Sequence, residues 1–310
     1  EYGFYPSHLT KKFLDVYGNI KTERLNAKHK QKKLEKRIKE LEKLSVMKKE
    51  DILEELNSLK KELLEVKTIN DGYKIVLNGS YGKMGSMYSK LYAPDLLLQV
   101  TLTGQLMMLM LIDDLTQAGF AIVSSNTDGI EYVCPKDRVG EAEVIIFDWE
   151  LETRLDMEHG EYNALYARDV NGYVAIYDGK AKAKGVYGKP TLSKNSEYPI
   201  VFEAIREYLL NGTRFSTTLN TCKDVTQFLT SRTVRGGGVW NGKYLGKVVR
   251  WYYATGGAPI HYKTNNNKVP KSDGARPMME LTEVIPSDLD MDKYIELCVK
   301  HLNELGVEYE

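Results

Sequence analysis

At 310 residues, 42% hydrophobic and 28% charged, the chain has the make-up of a folded globular protein with a sizeable core. It holds no unbroken apolar run of about 18 residues, no leader-like start at Glu1-Tyr2-Gly3, and no CxxC pair among Cys134, Cys222 and Cys298; a membrane span, a signal peptide, structural zinc and a disulfide framework are therefore not expected, and a cytoplasmic setting is. Lys+Arg and Asp+Glu balance at 43 each, yet residues 121–167 carry 3 against 11, residues 168–250 carry 14 against 6, and residues 251–310 carry 6 against 10.

An acidic block followed by a basic one suggests a cation-binding surface beside a phosphate-tracking one, although ordinary surface patchiness gives the same numbers. Leu9, Phe13, Tyr17 and Ile20 recur at helical spacing and predict a helix over 8–28. Residues 29–69 are Lys- and Glu-rich without Gly or Pro. They repeat a 4,3 rhythm in Leu34, Ile38 and Leu41, and again in Ile52, Leu56, Leu59 and Leu63. The rhythm breaks at 45–51, where Asp51 and Glu54 could form a capping box. Two antiparallel helices are expected, forming a projecting hairpin with arms of roughly 25–35 Å. A coiled-coil interaction module is the competing reading.

A helix over 72–88 is expected to break in the glycine-punctuated stretch Gly79-Ser80-Tyr81-Gly82-Lys83-Met84-Gly85. Pro94 opens and Gly119 closes a helix over 95–118, whose Leu, Met and Ile density predicts burial on most sides, with Met107, Met108 and Met110 as core filler. Residues 120–133 alternate as two strands about the turn Asn126-Thr127-Asp128-Gly129. Strands follow at 171–177 and 183–187, and helices at 199–210 and 291–305. Gly236-Gly237-Gly238 and 264–272 read as loops.

Two clusters carry chemistry. An acid at the tip of a hairpin, Asp128, is held with its oxygens exposed, as a hard divalent cation requires; by itself this is also an ordinary turn residue. On one face of the helix before it, Lys74, Asn78 and Tyr81 fall in a row, a cation, an amide and a ring that could hold a triphosphate, sugar and base. Taken singly, that face is also an ordinary solvated one. Lys182 and Lys184 lie two apart and project to one side of a strand, suited to backbone phosphates, with ordinary solvated surface lysines as the alternative. Arg232, Arg235, Lys243, Lys247 and Arg250, interleaved with Trp240, Tyr244 and Trp251, are expected as a group of candidate nucleic-acid contacts. The five histidines are scattered and suggest no site.

Lys74-x-x-x-Asn78-x-x-Tyr81-Gly82 resembles the fingers motif K-x-x-x-N-S-x-Y-G of family B DNA polymerases, with Gly79 where Ser is usual. Asn126-Thr127-Asp128-Gly129 is similar to their palm signature D-T-D-S, and Thr101-x-x-Gly104 and Lys182-x-Lys184-Gly185-x-Tyr187 also look like the family, its phage members above all. Arg24 and Lys28, one turn apart, match the family's basic pair on the first fingers helix. The resemblance implies an α+β fold: a palm with an antiparallel sheet over 89–190, helical-hairpin fingers over 20–88 (hairpin 29–69), a connecting segment over 1–19 and a mixed thumb over 191–310. It also implies that Arg24, Lys28 and Lys74 close on an incoming dNTP, that Asn78 and Tyr81 lie near the nascent base pair, and that Lys182, Lys184 and Tyr187 contact primer-template DNA. Asp128 is then the catalytic carboxylate and a ligand of two Mg²⁺ ions.

Two departures qualify this. Asn126 stands where the palm signature has its first acid. Phe4-Tyr5-Pro6-Ser7 imitates the end of the other palm motif, D-x-x-S-L-Y-P-S, without its aspartate. The expectation is a C-terminal part of a larger or split polymerase, inactive until an upstream exonuclease/palm segment supplies the second metal-binding Asp. A catalytically incompetent primer-template-binding subunit is the alternative.

Overall fold

A computed structural model describes residues 11–44, 50–190 and 195–310. The expectations for 1–10, for the break at 45–49 and for the Asp51 side-chain cap lie outside the described residues. The fold is mixed α+β with antiparallel sheets. It divides into two compact units, Glu1–Gln117 and Ala118–Glu310, so the boundary falls inside the 89–190 span expected to form one palm.

The first unit is helical: α1 (Lys11–Leu44), α2 (Glu50–Met84) and α3 (Pro94–Gln117). The expected 8–28 helix and the first hairpin arm are one continuous helix of 34 residues, about 50 Å long, of which the part from residue 29 on is about 24 Å. Likewise α2 runs unbroken through Gly79 and Gly82 to Met84. A mid-helix glycine costs about 1 kcal/mol against alanine, and neighbours such as the buried Leu77 outweigh that locally. The 4,3 rhythm is a seam between α1 and α2, where Ile38, Leu41 and Leu56 are buried and Ile52, Leu59 and Leu63 pack around them. Lys30–Glu62, Arg37–Glu55 and Lys60–Glu42 bridge its flanks; exposed pairs of this kind add little each. The seam thus closes within one chain.

At the foot of α2, Gly85 has no room for a side chain, since a Cβ would sit 2.9 Å from Leu97 Cδ2. The expected burial of α3 on most sides is not found. Met108, Leu111 and Leu115 form one buried stripe, while Leu98, Leu102, Leu106, Leu109 and Met110 are exposed. Gln99, Thr101, Thr103 and Gln105 break the apolar run, yet α3 is long and apolar enough, by length and composition alone, to cross a membrane.

The second unit opens with the hairpin of β1 (Ala121–Ser125) and β2 (Ile130–Val133), paired in the register Ser125↔Ile130, and the helix α4 (Val139–Thr153). A three-stranded antiparallel meander follows: β3 (Ala164–Asp169), β4 (Gly172–Tyr177) and β5 (Lys180–Ala183). The strand expected at 183–187 ends at Ala183, because Gly185 turns the chain at φ +65 into a 3-10 turn over Gly185–Tyr187. Helices α5 (Pro199–Asn211) and α6 (Phe215–Thr221) precede a four-stranded sheet ordered β8-β6-β7-β9. Its strands are β6 (Thr230–Trp240), β7 (Lys243–Tyr253), β8 (His261–Tyr262) and β9 (Ala275–Pro277). The Gly236-Gly237-Gly238 loop is instead part of β6, where positive φ at Gly236 and Gly237 accompanies a shift in register.

Helix α7 (Met291–Asn303) closes the chain and packs with α5 into the main core, around Tyr198, Phe202, Ile205, Tyr294, Cys298 and Leu302. A second core, Val234, Val249, Trp251, Ile260 and Val269, fills one side of the four-stranded sheet.

Candidate functional site

In the first unit, Tyr17 Oη donates to the Leu77 carbonyl at 3.4 Å, and Asn70 Nδ2 donates to Gln31 Oε1 at 3.0 Å. These cross-links bracket Arg24 and Lys28 on α1 and Lys74 on α2, so all three cations stand at one level of the hairpin. Lys74 and Asn78 are exposed; Arg24 is half-buried, and its Nε has no hydrogen-bond partner. Tyr81 is fixed. Thr101 Oγ1 donates to the Leu97 carbonyl at 2.8 Å, so its lone pairs receive the Tyr81 hydroxyl, 2.6 Å away. The two motif positions picked out separately in the sequence, Tyr81 and Thr101, are one hydrogen-bonded pair.

In the second unit, Asp128 sits exposed at the tip of the β1–β2 hairpin. Asn126 N–H donates to the Gly129 carbonyl at 2.9 Å and closes the turn. Asn126 Oδ1 accepts the Asp128 amide hydrogen at 3.1 Å, an Asx-turn that orients the acid. Beside it Ser124 Oγ donates to Glu131 Oε2 at 2.6 Å, engaging a carboxylate that sequence reasoning did not single out. The donors at the turn are hard oxygens, which suits Mg²⁺, but Asp128 alone makes a partial shell. Among the described residues no group of three His, Cys, Asp or Glu side chains could hold a metal ion.

Lys182 and Lys184 are exposed, while the alternating Ala181 and Ala183 pack on the core. Alternation therefore turns the lysines away from the core, and Lys180, two residues earlier and not singled out in the sequence, joins the row. Lys182 Nζ donates to Tyr162 Oη at 3.2 Å, which raises its pKa against the opposing effect of burial. Tyr187 is different. It is fully buried, its ring lies edge-on to Phe202, and its hydroxyl donates to the His301 carbonyl at 3.0 Å. Burial pushes its phenol up to about 12. Its expected contact with DNA is thus not available to the ring as it stands; Tyr187 anchors the loop that presents Lys184. The strand ends at Ala183, and the turn at Gly185–Tyr187 carries the ring into the core, whereas only the family resemblance had set Tyr187 with the lysines. Gly185 is held equally tightly, as a Cβ there would lie 2.4 Å from the Asn171 carbonyl oxygen.

Next to this loop, Glu304 accepts from Arg168 Nη1 at 3.4 Å and stands 3.0 Å from His301 Nδ1. Arg206, half in the core, donates to the Tyr187 carbonyl and to Glu203.

No family model matches the chain, and no curated protein does. Among solved structures it is similar to the family B DNA polymerase from the hyperthermophilic archaeon Pyrobaculum calidifontis, at 13% identity and a TM-score of 0.45. The match covers 90% of this chain and 38% of that one, so the chain spans well under half of that polymerase's length.

Proposed function

We propose that the chain catalyses template-directed DNA synthesis, by nucleotidyl transfer from dNTP to a primer 3′-hydroxyl, as the C-terminal part of a larger or split family B DNA polymerase. The observation that carries this reading is the pairing of two motifs. One helix presents Lys74, Asn78 and Tyr81, with Tyr81 hydrogen-bonded to Thr101; one hairpin presents Asp128 at an Asx-ordered tip.

In this reading Lys74, Arg24 and Lys28 neutralise the triphosphate and hold its α-phosphate in line with the primer terminus. Asn78 and Tyr81 border the nascent base pair, and the Thr101 bond keeps the Tyr81 ring from rotating into the space the base needs. Lys180, Lys182 and Lys184 grip the primer-template backbone. Asp128 would hold Mg²⁺, which when bound lowers the pKa of the primer hydroxyl and stabilises the pyrophosphate. One carboxylate holds two ions poorly against water, so the second comes from an upstream palm segment of the same or a separate chain.

The test is primer extension by the purified chain, with and without a family B exonuclease/palm segment added in trans. No extension alone and extension on addition are expected. Asp128→Ala should then abolish synthesis, and Lys74→Ala should raise the KM for dNTP more than it lowers kcat. Activity in the complemented Asp128→Ala enzyme would end the assignment. Duplex binding without synthesis under any complementation would favour the incompetent binding subunit.

A further inference from the structure

We propose that the outer face of the β8-β6-β7 sheet binds single-stranded nucleic acid, with Tyr244 stacking on an unpaired base and Arg235, Arg250 and Lys263 holding backbone phosphates. This surface is separate from the Asp128 turn and the lysine row, and it does not depend on nucleotidyl transfer.

The face follows from alternation. Trp240, Val249, Trp251 and Tyr262 point into the core on one side of the sheet. Their neighbours Val239, Arg250 and Lys263 therefore point to the other, and Tyr244, register partner of Val239, joins them. Arg235, next to the buried Val234, projects with them. Residues 225–272 contain eight lysines and arginines and no aspartate or glutamate. Among the described residues Lys268 and Lys271 find acidic partners, whereas Arg235, Arg250 and Lys263 have none. From Tyr244 to Arg250 the strand spans about 20 Å at ~3.3 Å per residue, room for several phosphates in a row. A positive face of this kind attracts polyanions in general.

What narrows the class is the tyrosine. Tyr244 is 49% exposed and rests against Gly237, where a Cβ would lie 2.3 Å from its Cε2. Any other residue at 237 would drive the ring off the backbone, and φ there is +93. Lys263 Nζ sits 4.8 Å from the ring centroid, at the end of a flexible side chain, and the Lys263 N–H is tied to the Gly237 carbonyl at 2.9 Å. A base stacked on an aromatic ring outweighs an exposed cation–π contact, so an arriving base displaces the ammonium, which then turns to a phosphate. Bases in a duplex are already stacked on each other and cannot take this place. An exposed, backbone-braced ring with one displaceable ammonium over it, on a face whose cations lack acidic partners, is a platform for a single strand.

The experiment is fluorescence anisotropy of the full chain with a labelled thymidine oligonucleotide and with an abasic strand of the same length and charge. The intact strand should bind several-fold more tightly than the abasic one, a comparison that needs no variant. Tyr244→Ala should lose about five- to hundredfold for the intact strand and little for the abasic one, while Tyr244→Phe keeps the difference. Lys263→Ala should reduce the salt slope by about 0.7. Equal affinity for the two strands in the wild type, or equally effective competition by anionic phospholipid vesicles, would overturn the proposal. Loss of extension in the complemented polymerase assay would not, so the two readings fail separately.

Discussion

Asn126 performs at its turn the task an aspartate would perform, since its Oδ1 accepts the Asp128 amide hydrogen at 3.1 Å. Either residue type offers that oxygen, but only aspartate adds charge. Asn126→Asp should therefore leave the β1–β2 hairpin intact and place a second carboxylate two residues from Asp128. On the proposed reading, the expected result is a roughly tenfold lower Mg²⁺ concentration at half-maximal extension once the upstream segment is supplied; hard-oxygen sites strengthen with each added carboxylate. An unchanged requirement would mean that position 126 does not face the metal. The acid at the tip was legible in the sequence because N-T-D-G between alternating strands specifies a turn. The burial of Tyr187 was missed because a family resemblance, and not periodicity, had assigned it; parity with Ala181 and Ala183, which pack on the core, was the signal that pointed inward. Arg24 shows a different limit: helical spacing puts it beside Lys28, but only the packed hairpin buries its Nε.

The α1–α2 hairpin is held by a short buried seam, and Leu41, 3% exposed, lies at its centre. Leu41→Ala should cost about 2–4 kcal/mol by transfer and cavity formation. All three tryptophans lie in the second unit, so two probes separate the effect. The far-UV helix signal at 222 nm should melt earlier, while tryptophan fluorescence keeps its transition. If instead the seam joined separate chains, the loss would depend on protein concentration, and sedimentation would show oligomers through 29–69.

Helix α7 supplies a different test. His301 lies against Tyr198 and Phe202, with Glu304, Lys300, Arg168 and Lys271 as the charged groups about it. Burial lowers its pKa below the ordinary 6.5, against the raising effect of Glu304, and its Nε2 is buried without a partner. The unfolded chain therefore takes up the proton first. Stability should be unaffected above about 6.5 and fall as pH drops from there toward the lowered value, seen as a declining urea midpoint by tryptophan fluorescence. Glu304 acts in another window. Burial opposes its ionisation, but bonds from His301 and Arg168 prevail and hold it below 4.5, so its contribution is lost only in stronger acid. His301→Gln should flatten the decline below about pH 6.5; an unchanged decline would assign it to other groups. At this scale the sequence marked most helices and misplaced their ends. Periodicity reports which face is apolar, and it cannot say that Leu77 carries α2 past two glycines or that α3 keeps its leucines exposed. The β6–β7 hairpin went unread because three glycines masked its strands.

For the whole molecule, a formal net charge of zero predicts weak attraction to a polyanion, whereas the distribution of that charge predicts the opposite. Salt screens exposed charges beyond a Debye length of roughly 8–10 Å, so a polyanion responds to the charges nearest it rather than to the sum over the chain, and the acidic stretch 121–167 and the basic stretch 168–250 are expected to act as separate fields. Charge patterning, and not total charge, is the quantity on which the salt prediction rests. The lysine row of 180, 182 and 184 is the part of the basic stretch that the meander turns outward as a unit. Duplex affinity should consequently fall linearly with the logarithm of salt, despite the neutral chain. Replacing Lys180, Lys182 and Lys184 by alanine should make that slope shallower by about 2.7, near 0.9 for each lost phosphate contact. The same triple variant should leave the melting temperature nearly unchanged, because exposed lysines on a strand contribute little to folding. A wild-type affinity that does not change with salt would mean that the two fields do cancel at the surface, and that the basic stretch is not where DNA lies.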